Sequence, residues 1–259
     1  MGADERGLAW RRLKMKIFDC NCSFGTSARP AFRYAANPTE LIAEMDFCGI
    51  DKALVYHAGQ RFGSPVVCNS RLIDEIKRFS RLTPTWTILP HQTGEQQKPA
   101  GFLKSMKENG IKALRAFPDE HHYRLDGCTF GGLLEALAEK RIPLFVKTSA
   151  LVLGDLMKEF PSLTVVAANQ GPHSLERYLR PLVERYPNLY LETSGYIVEG
   201  LIEEFCERYG PERLLFGSGF PDNCSGGAFL RLLRAEIGAT AKMAVAGRNL
   251  ERLLEKAKL

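Results

Sequence analysis

Eight short apolar or β-branched runs, separated by longer stretches of helical period, restrict the fold of this chain more than any other feature. The runs fall at 16–21, 53–57, 83–89, 112–117, 143–147, 163–169, 189–193 and 214–218. Helical segments are expected between them, among others at 38–48, 70–79, 102–109, 131–140, 175–186 and 198–209, and most end near Gly or Pro. Strand and helix in strict alternation predict parallel βα units. A doubly wound open sheet more often carries a Gly-rich phosphate turn after its first strand, and the FDCNCSFG segment at 18–25 is not one. The expectation is therefore an α/β protein, a single (β/α)8 TIM-type barrel, with residues 239–258 as closing helices.

The 259 residues match the roughly 250 that one such barrel needs. No repeat or Pro/Gly/Ser linker divides them, so the expected organisation is an N-terminal extension, 1–14, and one domain, 15–259. A net charge of +5 is spread over helices that also carry Glu, which argues against nucleic acid and leaves a small anionic ligand compatible. No run has the length of a membrane span, and residues 1–16 lack the apolar core of a signal peptide. Seven cysteines, an odd number scattered over the elements, read as reduced thiols of a cytoplasmic protein.

In a barrel of this kind chemistry sits at the C-terminal ends of the strands. That rule selects Asn21, Ser23, His57, Arg115, Lys147, Asn169, Glu192 and Gly219. Lys147 ends the apolar run PLFV, where burial favours a neutral amine suited to base or Schiff-base chemistry. The competing reading makes it a fixed positive charge paired with Asp19 or Glu192. Arg115 has the planar fork to clamp a carboxylate, or else pairs with Asp119 or Glu120. His57 is a candidate general base against a hydrogen-bonded structural role. Alternation along a regular first strand would turn Asn21 and Ser23 to the axis and both Cys20 and Cys22 to the helical layer. Cys224 is a minor candidate nucleophile, and Phe24, Phe32, Tyr34, Phe62 and Tyr123 are candidate loop aromatics around a pocket.

Several segments resemble the amidohydrolase-related TIM-barrel family of metal-dependent hydrolases and decarboxylases. Asp19-Cys20-Asn21-Cys22-Ser23 is similar to that family's opening Asp-x-His-x-His, and Pro143 to Lys147 to a Pro-leading strand ending in His. Ala168-Asn169-Gln170-Gly171 is similar to Ala-His-x-Gly, and Leu191 to Gly195 to Leu-Asp/Glu-Thr-Ser-Gly. The segments LLFGSGFP at 214–221 and GRNLERL at 247–253 are similar to Leu-Phe-Gly-Ser-Asp-x-Pro and to the closing Gly-Asn-Ala-x-Arg-Leu helix.

The resemblance would place metal ligands at Asn21, Ser23, Lys147, Asn169 and Gly219, none of which keeps His or Asp. No metal and no other cofactor is therefore expected. A rebuilt site from His57, His121 or His173 with Asp222 is the competing reading, although no two histidines have a recognised ligand spacing. What the resemblance implies is a hydrolase or lyase scaffold acting on a small, anionic molecule with its usual metal site lost. Lys147, His57 and Asp222 are then the candidate catalytic groups, with Arg115, Asn21, Ser23, Asn169 and Glu192 around the substrate. The alternative is a noncatalytic barrel used for binding. Members of the family often associate, so a homodimer is also implied.

Overall fold

The computed structural model describes residues 15–26, 33–170 and 176–259. The 1–14 extension, Phe32, Gly171 and His173 lie outside the described residues. Strands β1 (Phe18–Phe24), β2 (Lys52–His57) and β3 (Leu82–Pro84) pair in parallel. A second parallel series runs through β4 (Trp86–Thr87), β5 (Leu114–Ala116), β6 (Leu144–Val146), β7 (Val165–Ala167), β8 (Leu189–Glu192) and β9 (Leu214–Leu215).

The expected strand at 83–89 is thus present as two pieces, β3 against β2 and β4 against β5, broken at Thr85. The backbone still bridges the break, because Thr85 N donates to Val55 O at 2.9 Å and Ile88 N to Arg115 O at 3.0 Å. Thr85 departs from strand pairing because its hydroxyl also donates to Val55 O and accepts from Arg115 Nε, both at 2.9 Å. The ring closes from β9 to β1 through Cys20 N to Phe216 O at 2.8 Å and Ser23 N to Phe220 O at 2.9 Å. The protein is a (β/α)8 barrel.

Twelve α-helices are described: α1 (Pro38–Cys48), α2 (Gly59–Phe62), α3 (Pro65–Ile76), α4 (Pro99–Glu108), α5 (Pro118–His121), α6 (Gly127–Lys140), α7 (Ala150–Glu159), α8 (Glu176–Arg185), α9 (Leu201–Tyr209), α10 (Ser225–Arg234), α11 (Ala239–Met243) and α12 (Asn249–Glu255). Their starts follow capping chemistry more than apolar period. Ser64 caps α3 with Pro65 in its first turn, and Asp126 accepts from Thr129 N at 3.0 Å to begin α6. Both helices therefore begin earlier than the expected starts at 70 and 131. Gly49, at φ 73°, stops α1 in the left-handed conformation that a side chain would oppose. Among the described residues, no helix is long and apolar enough to cross a membrane.

Strand alternation divides the apolar residues into two cores. Ala53, Val55, Leu144, Val146, Val165, Ala167, Leu214 and Phe216 face the helices. Leu54, Phe145, Val166 and Leu215 fill the axis, and Leu250, Leu253 and Leu254 of α12 join them. Burial of each such side chain contributes roughly 1.5–3 kcal/mol. Gly247 packs tightly here: a Cβ would lie 3.1 Å from both Lys16 O and Phe18 Cβ.

The first strand breaks the expected alternation. Asp19 pairs with Ala53 but Cys22 with Val55, so Cys20 and Asn21 together oppose Leu54. This is a β-bulge, one extra residue on β1. Cys20 consequently belongs to the axial core and Cys22 to the helical layer, which corrects the expectation that both thiols face the helices. Asn21 still faces the axis, where it meets Arg115 and Glu192.

Candidate active site

Two polar clusters occupy the upper barrel. The deeper one is centred on Arg115, which is 1 % exposed. Its Nε donates to Thr85 Oγ1 at 2.9 Å, Nη1 to Asn21 Oδ1 at 3.1 Å, and Nη2 to Cys20 O at 2.8 Å and Leu54 O at 3.3 Å. The guanidinium lies 4.6 Å from the Tyr56 ring centre and 5.0 Å from that of Phe145. Neither Asp119 nor Glu120 reaches it, so the expected ion pair is replaced by neutral acceptors and ring faces. Burial pulls its pKa down against the opposing field of Tyr56. Enclosed in this way, Arg115 belongs to the floor of the site.

Glu192 lies on the other side of Asn21, whose Nδ2 donates to its Oε1 at 3.3 Å. The carboxylate also accepts from Ser194 Oγ at 2.6 Å, Ser194 N at 2.7 Å and Asn169 N at 2.5 Å. Asn169 itself holds φ 54° and accepts from Asn21 Nδ2 at 3.1 Å. The Asn21 amide therefore relays between a buried cation and a buried carboxylate. Burial pushes both Glu192 and Asp19 above the usual carboxylate range. Asp19 Oδ1 accepts from Asn21 N and Ser218 N at 2.9 Å each, while Oδ2 is buried without a hydrogen-bond partner. Ser23 is buried beside this cluster.

Above this floor, the second cluster opens into a cavity of about 440 Å³ lined by Arg61, Phe62, Asp119, Glu120, His121 and Lys147, among others. Lys147 Nζ donates to Glu120 Oε1 at 2.8 Å, and Arg61 Nε to the same oxygen at 2.8 Å. Lys147 is thus paired, but with Glu120 of α5 and with neither Asp19 nor Glu192. Arg61 Nη1 reaches Asp222 Oδ2 at 2.6 Å. Although the Arg61 side chain is only 2 % exposed, Lys147 keeps 25 % of its surface. Burial raises the Glu120 carboxyl, but hydrogen bonds from Lys147 and Arg61 outweigh it and hold the group below its ordinary value. Burial works against the Arg61 charge too, and Tyr56, Asp222 and Glu120 together reverse the effect. His121 is held below the usual imidazole value by burial.

Lys147 lines the cavity, and Asp222 is linked to it through Arg61 and Glu120. His57 does not join them. Alternation on β2 turns Tyr56 inward and His57 outward, where its ring packs edge-on against Phe24 at 5.5 Å and Nδ1 accepts from Gly59 N at 3.0 Å. Its Nε2 lies 3.9 Å from Glu75 of α3, and burial lowers its pKa. This corrects its candidacy as a base at the mouth. Phe24 is buried with it, Tyr34 is exposed, and Phe62 lines the cavity, its ring 4.6 Å from the Arg61 guanidinium.

Gly219 has φ 68°, and a Cβ there would fall 2.8 Å from Ser194 Cβ and 2.7 Å from Asn223 Nδ2. That position is closed to side chains. Among the described residues, no three His, Cys, Asp or Glu side chains cluster in a way that could hold a metal ion. Arg61 is the residue of this cluster that the strand-end pattern did not select. The segment GQRFG after the second strand has no period, and only the position of its charged residue just past a strand end marked it.

A family model described as Amidohydrolase matches residues 23–255. Among curated proteins, no sequence matches the chain. Several solved structures share the fold. An uncharacterized TIM-barrel protein from Bordetella bronchiseptica is 18 % identical, with 93 % of this chain and 99 % of that one covered and a TM-score of 0.76. The 5-carboxyvanillate decarboxylase of Novosphingobium aromaticivorans DSM 12444, complexed with manganese and 4-hydroxy-3-methoxy-5-nitrobenzoic acid, is 15 % identical over 94 % and 97 %, with a TM-score of 0.74. A probable 2-pyrone-4,6-dicarboxylic acid hydrolase of Acinetobacter baumannii with citric acid bound is 14 % identical over 93 % and 100 %, with a TM-score of 0.70.

Proposed function

Because this chain belongs to the amidohydrolase family, we propose that it is a hydrolase or lyase acting on a small anionic molecule at the barrel mouth, by a route that does not pass through a divalent ion. The observation that carries this reading is the Arg61–Glu120–Lys147 triad in an open cavity. Two cations face one shared carboxylate there, and Lys147 keeps two of its three donors beyond the one given to Glu120. An incoming carboxylate competes with Glu120 for the ammonium. Glu120, once displaced, is a carboxylate beside the substrate and suited to accept a proton. Substrate acidity is supported by relatives whose names specify carboxylated aromatic or dicarboxylic compounds.

The metal-free part of the reading rests on donor chemistry. Manganese or zinc requires several imidazole or carboxylate donors in an open geometry. Here the corresponding positions supply two amides already hydrogen-bonded to each other, a serine, an ammonium group and a glycine closed by Ser194. This set does not fit such an ion. A noncatalytic binding barrel is the second reading, favoured by one fact: in this state Glu120 already occupies the Lys147 ammonium.

The test is metal analysis of the purified protein by mass spectrometry, coupled to turnover of a panel of aryl and dicarboxylic acids. Sub-stoichiometric metal, with turnover that resists chelators and disappears in Lys147→Met, is expected. Stoichiometric manganese or zinc whose removal abolishes turnover would overturn the metal-free route. A full panel with neither turnover nor binding would overturn the enzyme reading. Borohydride trapping with keto acids separates the two roles of Lys147: an adduct at that residue identifies an imine-forming amine, and its absence with turnover retained identifies a fixed charge.

A further inference from the structure

A second cavity, of about 280 Å³, lies on the flank of the barrel between α9 and α10, away from the triad. Its walls are Tyr196, Ile202, Leu230 and Ala235, with Arg231 and Arg234 one helical turn apart on α10. Leu230 is 51 % exposed and Ile197, at the edge, 61 %, so apolar surface is left open beside two cations. Arg231 is half-buried, and burial lowers its pKa with only the Cys224 thiol opposing. Among the described residues, no carboxylate or carbonyl accepts from either guanidinium. Among the described residues, the other arginines that are not exposed, Arg61, Arg81, Arg115, Arg180 and Arg213, bond to acceptors. Glu199 and Glu203 also line the cavity, but neither bonds to Arg231 or Arg234, and Glu203 accepts from Glu236 N at 2.8 Å.

A partly desolvated charge without a counter-ion is costly, and an anion that supplies the missing acceptors relieves the cost. The adjoining apolar wall gains from covering at the same time. From this pairing we propose that the cavity binds a small amphipathic carboxylate, its head on Arg231 and Arg234 and its aliphatic or aromatic tail on Tyr196, Ile202 and Leu230. The site is separate from the mouth and does not depend on the function proposed for it.

Calorimetric titration of the whole protein with octanoate tests the proposal, with octanol and inorganic phosphate as the single-feature probes. Saturable octanoate binding is expected, weakened at least tenfold in Arg231→Gln and lost in Arg231→Gln/Arg234→Gln, while Lys147→Met leaves it unchanged. Neither octanol nor phosphate saturates. The proposal is overturned if the folded double variant binds octanoate like the wild type, if octanol or phosphate binds equally well, or if Lys147→Met alone abolishes binding and so places it in the mouth. It is also overturned if sedimentation finds a dimer that Leu230→Glu dissociates while octanoate never saturates, since a second copy would then be the occupant.

Discussion

The barrel holds two arginines of nearly equal burial, Arg115 on the floor and Arg61 at the mouth, and they serve opposite ends. Arg115 has no carboxylate in contact: its donors go to a hydroxyl, an amide and two carbonyls, and Asn21 stands between it and Glu192. Arg61 touches two carboxylates directly, one of them shared with a lysine that solvent reaches. The difference teaches that burial alone does not identify chemistry. What matters is whether a partner can be exchanged. Floor groups are enclosed, whereas the Glu120–Lys147 pair borders an open cavity.

The largest break in this comparison is Arg115→Met, which leaves four buried acceptors without their donor. A loss of about 3 kcal/mol in unfolding free energy by urea titration is expected, and Arg115→Lys does not restore it because an ammonium cannot span the same four acceptors. A loss no larger than that of a surface residue would refute the floor assignment. Next comes Gly219→Ala, expected to cost about 1–2 kcal/mol for left-handed backbone alone, with the close approach to Ser194 Cβ added. An unchanged melting temperature would show that this position is free to accept a ligand side chain.

Glu120→Gln is expected to cost less, about 1 kcal/mol at neutral pH, and to do so in a pH-dependent way. The folded value of Glu120 lies below its ordinary 4.5, so its contribution is present above that pH and is lost as pH falls through the folded value. The gap between wild type and variant should therefore close on the acid side of 4.5. Glu192 and Asp19 carry the opposite sign: raised by burial, they favour the folded state below their ordinary values and lose that contribution as pH rises. A gap that widens in acid would place Glu120 with the floor. The smallest effect belongs to Asp222→Asn, under about 1 kcal/mol for a rim carboxylate 38 % exposed. A larger loss would mean that Asp222 closes the mouth.

The rhythm of eight runs was legible because every barrel strand must alternate between axis and helices, and that constraint writes itself into local pattern. The site was legible only as a set of strand ends. Lys147 and Asp222 are linked through Glu120 and Arg61, and Arg61 sits on a four-residue helix too short to show a period. The partner of Lys147 lies 27 residues earlier, on a separate βα unit. Sequence spacing cannot report such a contact. His57 misled because the end of a strand does not say which face its last residue takes. The bulge at Cys20–Asn21 and the break at Thr85 were hidden for the same reason: both serve the hydrogen bonds of Arg115, and those are tertiary.

That bulge has a kinetic consequence. It sets two thiols, two residues apart, in different compartments, and burial pushes both far above the ordinary cysteine value, so neither reacts while the barrel stays closed. Cys20 meets a labelling reagent only when the ring of strands parts or α12 lifts from the axis, Cys22 only when the helical layer separates. Their alkylation rates, followed side by side in one molecule, act as two clocks on a single strand. Equal rates would mean that axis and outer layer open as one cooperative unit, and unequal rates would tell which gives way first.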